Sequence, residues 1–560
     1  MSEQNSQVQR APWRRIYPRL NVWSFGAVLI AFVVLAPIVS VAWIAFFPTE
    51  NIWPHLIGSV LPRYLGNTLI LMIGVAVLTA VFGATSAWLV AMYRFPGRRF
   101  LDTALLFPLA IPAFVGAYAL VDFLDYAGPL QSAMRAAFGW RDARDYWFPE
   151  VRAHGPAIIV LSSALYPYVY LLARAAFREQ SGCSYEVARA LGAGPWALFW
   201  RVGLPLARPA IATGVALAMM ETVADYGTVQ HFGVQTLTTG VFSTWLSGNN
   251  AGGAAQIAGV ILMLILLLLA LERISRRKAR FHRLSKTTRP VVPIHLSSGW
   301  AWGAAVFCTL PFVMGFVVPV TVMLGHAIKR PDVWVAPGLV AALANTIMVA
   351  GSAALVTVLA GLFLVYGTRM MGRDLARMVL PVTSIGYAAP GAVLALGLLV
   401  PLAALDHRVA DGVEWLTGSD PGLLITGTSA AIVLAYFVRF FGIAQGALDA
   451  AFGRVSPSLP MAARSLGRNA GGTLRDVYLP MMKGSVATAL LVVFVDCVKE
   501  LPATLLLRPF NFNTLSTRVF ELASLEKLGE AAPAALLVMA VGLVAVVLLA
   551  RANRDSNSVE

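Results

Sequence analysis

The chain has 560 residues, of which 58% are hydrophobic and only 13% charged, with a mean hydropathy of +0.72. A typical soluble chain carries about 25% charged residues, and a single core stops growing beyond about 300 residues. These proportions therefore exclude a soluble enzyme, a disordered chain and a secreted disulfide scaffold.

The balance of 43 Lys and Arg against 28 Asp and Glu leaves a formal charge of +15. The basic residues fall mainly in short segments between apolar runs, a pattern of membrane topology and not of a nucleic-acid patch. Cys183, Cys308 and Cys497 are scattered, with no CxxC pair. They read as buried, inert thiols and not as a zinc site or a disulfide framework.

In chain order, residues 1–23 form a tail with Arg10, Arg14, Arg15 and Arg19. The apolar run 24–47 exceeds the core of a cleavable signal, about 7–15 residues, and reads as a retained first span. A spanning helix needs about 20 mostly apolar residues. Twelve runs qualify: 24–47, 67–92, 101–121, 155–173, 207–227 and 254–271, then 299–327, 341–366, 378–402, 423–446, 484–505 and 532–550. This predicts an all-α polytopic membrane protein: repeats over 24–271 and 299–550, a basic linker over 272–298 and a tail over 551–560.

With a cytoplasmic N-terminus, the inside loops carry Arg94, Arg98, Arg99, Arg369, Arg373 and Arg377. The linker region adds Arg273, Arg276, Arg277, Lys278, Arg280, Arg283, Lys286 and Arg289. The outside loops collect Asp142, Asp145, Asp406, Asp411, Glu414 and Asp420. The excess of Lys and Arg in one set of loops predicts that both termini are cytoplasmic.

The two halves repeat. Asn67 and Thr68 match Asn345 and Thr346 at an offset of 278, as Pro112 matches Pro390 and as Thr236, Val241 and Phe242 match Thr514, Val519 and Phe520. Six spans per repeat is an even number, so the repeats run parallel about an axis along the membrane normal, with a pathway expected on that axis.

After the fourth span the chain reads Ser184, Glu186, Ala188, Gly192, then Leu204 and Pro205. After the tenth it reads Ser458, Pro460, Met461, Ala462, Ala463, Gly467, then Leu479 and Pro480, at an offset of 275 from Glu186 onward. Ser184 and Ser458 suit helix caps, and Glu186 would lie in a first turn, where the helix dipole favours a carboxylate. Gly192 suits a left-handed helix end, and Pro195 the start of a second helix. Each loop is thus predicted as a helix–turn–helix at the inner surface.

The pattern resembles the EAA loop of permeases from ATP-binding-cassette importers. That resemblance implies a type I permease fold, and loops 180–206 and 455–483 as coupling helices seated in ATPase subunits. Met461 stands where the family has Glu, so an equal ionic contact at the two loops is not expected: the second couples either more weakly or by apolar packing. The chain lacks a GxxxxGK[ST] phosphate loop, so ATP would be hydrolysed by a separate chain.

Glu221 and Asp225 lie four apart in the fifth span, and Asp496 and Glu500 four apart in the eleventh, again at an offset of 275. Residues at i and i+4 share a helix face, and carboxylates at such depth usually face a cavity. The expectation is an acidic ring around the axis near the outer mouth, suited to a hard cation, against the plainer alternative of structural pairing, for instance with Lys499. Tyr226 and His231 are weaker candidates for contact with the cargo.

The words around these acids, from Ala224 to Phe242 and from Val498 to Phe520, look like those of ferric-iron importer permeases, which are fused and of this length. The resemblance implies a conduit for Fe³⁺ delivered by a periplasmic iron-binding protein across a bacterial inner membrane. It implies two copies of a cytoplasmic ATPase, no catalysis, and no cofactor bound by this chain. Related permeases for thiamine, polyamines and phosphonates share the architecture. An ion-coupled secondary transporter is the alternative of another class, and the paired loops weigh against it.

Overall fold

The computed structural model describes residues 22–48, 50–180, 182–277, 293–370 and 373–555, with side chains left out at 275–277, 373–377 and 549–555. The tail arginines, and the linker residues from Lys278 to Arg289, lie outside the described residues.

Among the described residues, eleven helices are long and apolar enough to span a membrane: Val22–Phe46, Trp53–Met92, His154–Glu179, Pro195–Ala224, Ala251–Ile274, Ser298–Lys329, Leu339–Met370, Gly391–Thr417, Ser429–Arg454, Ala470–Lys499 and Leu528–Leu548. The pair Arg98–Ala110 and Ala113–Phe138, bent by 98°, is long and apolar enough only when its two helices are taken together, and counted as one broken span it would be the twelfth. Each of the twelve expected spans has a counterpart, and two differ from expectation. The third run is broken at Pro112, and the ninth at Pro390. A residue before proline is driven out of the α region, and Ile111 and Ala389 are accordingly extended. In the second half the spanning helix starts after that break and runs on to Thr417, well past residue 402. Asp406, expected in an outside loop, is instead fully buried in this helix, and accepts hydrogen bonds from the backbone N–H groups of Leu424, Ile425 and Thr426 at 2.6–2.9 Å.

The same bonds recur in both halves. The Thr68 hydroxyl accepts from the Leu237 N–H at 3.1 Å, and that of Thr346 from the Leu515 N–H at 2.8 Å. Asn67 donates to the Gln235 carbonyl, and Asn345 to that of Asn513. Thr236 and Thr514 each close a capping box, with Thr239 and Thr517.

The halves also exchange their opening helices. Val22–Phe46 packs on second-half helices: the Trp23 ring stacks on Phe363 at 4.8 Å, and a Cβ at Gly397 would lie 2.1 Å from the Pro37 carbonyl oxygen. Ser298–Lys329 packs on the first half, where Phe316 meets Phe107 and Gly315 lies against the Ser163 carbonyl. A short parallel pairing of Tyr93–Arg94 with Ile294–His295 ties the chain after the linker back to the end of the second span. Of the cysteines, Cys308 and Cys497 are buried as expected, whereas Cys183 is exposed, on the helix Gly182–Ala190.

Candidate functional site

The acids come together. A cavity of about 140 Å³ lies between the halves, lined by Glu221, Asp225, Asp496 and Glu500, with Tyr168, Tyr226 and Tyr387. Its wall includes Ile111 to Phe114, where the third span is broken. Tyr168 and Arg439 line it from the middle of the helices His154–Glu179 and Ser429–Arg454. The cavity therefore lies at mid-height in the bundle and not near the outer mouth. The cause is that the chain after each acid pair does not leave the bundle. It turns into short buried helices, Gly227–His231 and Leu237–Phe242 in one half and Pro502–Leu507 and Leu515–Ser524 in the other.

The expected shared helix face is corrected for the same reason. The helices stop at Ala224 and Lys499, and Asp225 and Glu500 adopt extended backbone. Each then serves the next helix. Asp225 Oδ1 accepts from the Thr228 and Val229 N–H groups at 2.9 and 3.2 Å, and its Oδ2 from the Thr228 hydroxyl at 2.9 Å. Glu500 Oε1 accepts from the Ala503 N–H at 3.0 Å. Each pair thus divides its work: one carboxylate lies on the spanning helix, and the other caps the short helix that follows.

The ring is not purely acidic. Arg439 Nη1 lies 3.1 Å from Glu500 Oε2, and its Nη2 3.8 Å from Glu221 Oε2. Lys499 Nζ lies 3.0 Å from Asp496 Oδ1 and donates to the Leu109 carbonyl at 3.1 Å. The Lys499 pairing was weighed from the sequence, but Arg439 was missed. Its signal was a lone arginine inside the apolar run 423–446, a placement that normally marks a partner or a pathway. Tyr226 lines the cavity and stacks on Phe242 at 3.7 Å. His231 packs edge-on against Tyr118 at 4.5 Å and is not in the cavity wall. Among the described residues no three His, Cys, Asp or Glu side chains form a metal-holding group.

The two loops are built alike. The helices Gly182–Ala190 and Ser458–Ser465 both end on glycines of positive φ, Gly192 at 84° and Gly467 at 83°. Gly192 and Ala193 donate to the Arg189 and Ala188 carbonyls, and Gly467 and Arg468 to those of Arg464 and Ala463. This is the Schellman helix end. The expected serine caps are not made. The first helix starts at Gly182, so Ser184 and Glu186 lie inside it, and Ser458 is the first helical residue, behind Pro457. Pro195 does open the second short helix.

Aromatic rings seat both loops on the end of a spanning helix. Trp88 packs with Phe177, Tyr185 and Phe199 within 5.7 Å, and a Cβ at Gly203 would meet its ring. Tyr366 packs with Phe452 and Tyr478, and donates to the Ala470 carbonyl at 2.7 Å. Ala188, Leu204 and Leu479 are half-buried and Ala463 is buried, whereas Glu186, Pro205, Ala462 and Pro480 are exposed. Met461 is 60% exposed, and the leucines before the two glycines, Leu191 and Leu466, are 83% and 85% exposed.

Comparison with known proteins agrees with this construction. Residues 76–281 match the family described as binding-protein-dependent transport system inner membrane component. The chain is 28% identical over 489 residues to the Fe(3+)-transport system permease protein FbpB 2 of Haemophilus influenzae, covering 87% of this chain and 89% of that protein. It is 29% identical over 216 residues to the molybdenum transport system permease protein ModB of Escherichia coli, covering 35% of this chain and 87% of ModB. It is 32% identical over 162 residues to a probable sulfate transport system permease protein cysT of Chlorokybus atmophyticus, covering 29% of this chain and 54% of that protein. Residues 76–281 thus match the inner membrane component of binding-protein-dependent transport, and with like loops and capping carboxylates in both halves the whole chain is similar to a double-length permease of that kind.

Proposed function

We propose that the chain is the membrane conduit of an ATP-driven importer for ferric iron, working across a bacterial inner membrane. The observation that carries the cargo class is the cavity between the halves. Four carboxylates and three tyrosines line it, and oxygen donors suit a hard cation. Even with Arg439 and Lys499 counted, the acids leave an excess of negative charge. The long match to a ferric permease supports the same reading.

In this reading residues 24–271 and 299–550 are the two repeats. Both termini, the linker and the loops 180–206 and 455–483 face the cytoplasm. Two copies of an ATPase dock there, on Glu186, Ala188, Gly192, Leu204 and Pro205 of one loop, and on Met461, Ala462, Ala463, Gly467, Leu479 and Pro480 of the other. A periplasmic iron-binding protein loads the opposite end. The chain itself binds no cofactor, and ATP is spent by the partner. The exposed Leu191 and Leu466 support docking, because apolar side chains left open at matching places are what a partner groove would cover.

The rival cargo is an oxyanion, favoured by Arg439 and Lys499 in the cavity wall. Reconstituted vesicles containing the permease, its ATPase and its binding protein decide between them. Labelled ferric iron should accumulate with ATP, and sulfate and molybdate should not. Glu221→Gln with Asp496→Asn should abolish that uptake while the ATPase still co-purifies. Undiminished uptake in the double variant, or accumulation of an oxyanion, refutes the proposal.

A further inference from the structure

The two halves match in their acids but not in their cations. Arg439, Lys499 and Gly391 all belong to the second half. By the offsets of 275 and 278, the corresponding first-half residues are Ala164, Ala224 and Ala113. All three alanines line the same cavity. The small residue at 391 is required by the arginine: a Cβ there would lie 2.4 Å from Arg439 Nη1 and 2.2 Å from Glu500 Oε1. Glycine, arginine and glutamate therefore form one unit, fitted into the break after Pro390.

This unit makes the four carboxylates unequal. Glu500 is nearly sealed, with its side chain 3% exposed, and is held by Arg439 from both oxygens, at 3.1 and 3.2 Å. Asp496 is held by Lys499. Glu221 is 29% exposed and meets the guanidinium only at 3.8 Å, across the seam between halves. Asp225 is in no ion pair among the described residues. The second half neutralises its own acids, whereas the first half keeps carboxylate charge facing the cavity.

We propose that Arg439 is the resident counter-cation of the pathway. Anchored by Glu500 and Gly391, it lends its second nitrogen to Glu221 when the pathway is empty, and an entering cation takes Glu221 from it. Arg439 thus closes the path to stray cations and makes Glu221 the carboxylate that selects the cargo. The proposal rests on the reading of this cavity as the cation pathway.

Passive leak separates the two ideas, because it requires neither iron nor the binding protein. Vesicles holding the permease–ATPase complex and a manganese-quenched dye are exposed to Mn²⁺ without ATP. Arg439→Gln should leak about tenfold faster than the unaltered protein, equivalent to removing one barrier of about 1.4 kcal/mol, and Arg439→Lys should restore tightness. Gly391→Ala, which alters no charge, should leak as Arg439→Gln does, because it displaces the same pair. Should Arg439→Gln fail to assemble, the double variant Arg439→Gln, Glu500→Gln removes both buried charges together and should leak likewise. Glu221→Gln should stay tight yet lose ATP-driven ferric uptake by about tenfold or more. Tight vesicles with Arg439→Gln, or with the double variant where the single one fails to assemble, or an equal loss of uptake from Asp496→Asn and Glu221→Gln, overturn the assignment. Loss of ferric specificity with the leak pattern intact would instead count against iron as the cargo.

Discussion

At the scale of single residues, the acids carry two kinds of work that spacing cannot separate. Glu221 and Asp496 lie on spanning helices, whereas Asp225 and Glu500 cap the helices that follow. Losing a cap costs about 1 kcal/mol, so Asp225→Ala should lower the melting temperature of the purified protein, and Asp225→Asn, which keeps an acceptor, should lower it less. Arg439→Ala should cost more, about 3–5 kcal/mol, because it strands the buried Glu500 carboxylate. Away from the spans, backbone N–H groups of Arg141 and then Asp142 hold the Asp145 carboxyl below its ordinary range. A depressed value in the folded state means that the turn is fully stabilised above the ordinary carboxylate range and loses that stabilisation as pH falls through the lowered value. Amide exchange at Arg141 and Asp142 should therefore stay protected through mild acid and rise only at the acid end of a titration.

At the scale of elements, the loops depend on their helix ends. Gly192 and Gly467 sit at positive φ, a conformation that costs about 1–2 kcal/mol for a residue with a Cβ. Gly192→Ala and Gly467→Ala should weaken retention of the ATPase during purification, while the spanning helices melt as before. Leu191→Asp and Leu466→Asp test the surface itself. Both side chains are open to solvent, so these changes should leave the stability within about 0.5 kcal/mol of the parent and still reduce ATPase co-purification. Much of this was legible in the sequence, because a helix end needs a glycine at a fixed place and the two glycines repeat at the loop offset. The start of the first loop helix was misplaced by three residues and that of the second by one, since Ser184 and Ser458 can serve equally as a cap or as a first-turn residue.

At the scale of the whole molecule, the halves are held together by exchange of their first helices. Gly397 lies against the Pro37 carbonyl, and a Cβ there would come within 2.1 Å of it. Gly397→Leu should therefore unseat Val22–Phe46 from the second half and destabilise the protein by about 1–3 kcal/mol. Gly412→Leu, on the same helix but with open space around it, is the control and should melt unchanged. A shift of similar size in both would mean that the exchanged helix does not hold the halves together.

What the sequence determined alone was the set of crossings, the repeat and the two loops. Each follows from local chemistry: the length of an apolar run, a matched spacing, a glycine that ends a helix. Even the breaks at Pro112 and Pro390 were marked by paired prolines. The tertiary structure alone decided where the acids sit and what they meet. The chain after Ala224 and Lys499 turns back into the bundle, which moves the acids to mid-height. Arg439 reaches Glu500 from a helix 61 residues away in sequence, and Glu221 from the other half. A buried charge must find its partner wherever the packing provides one, and no spacing along the chain encodes that meeting.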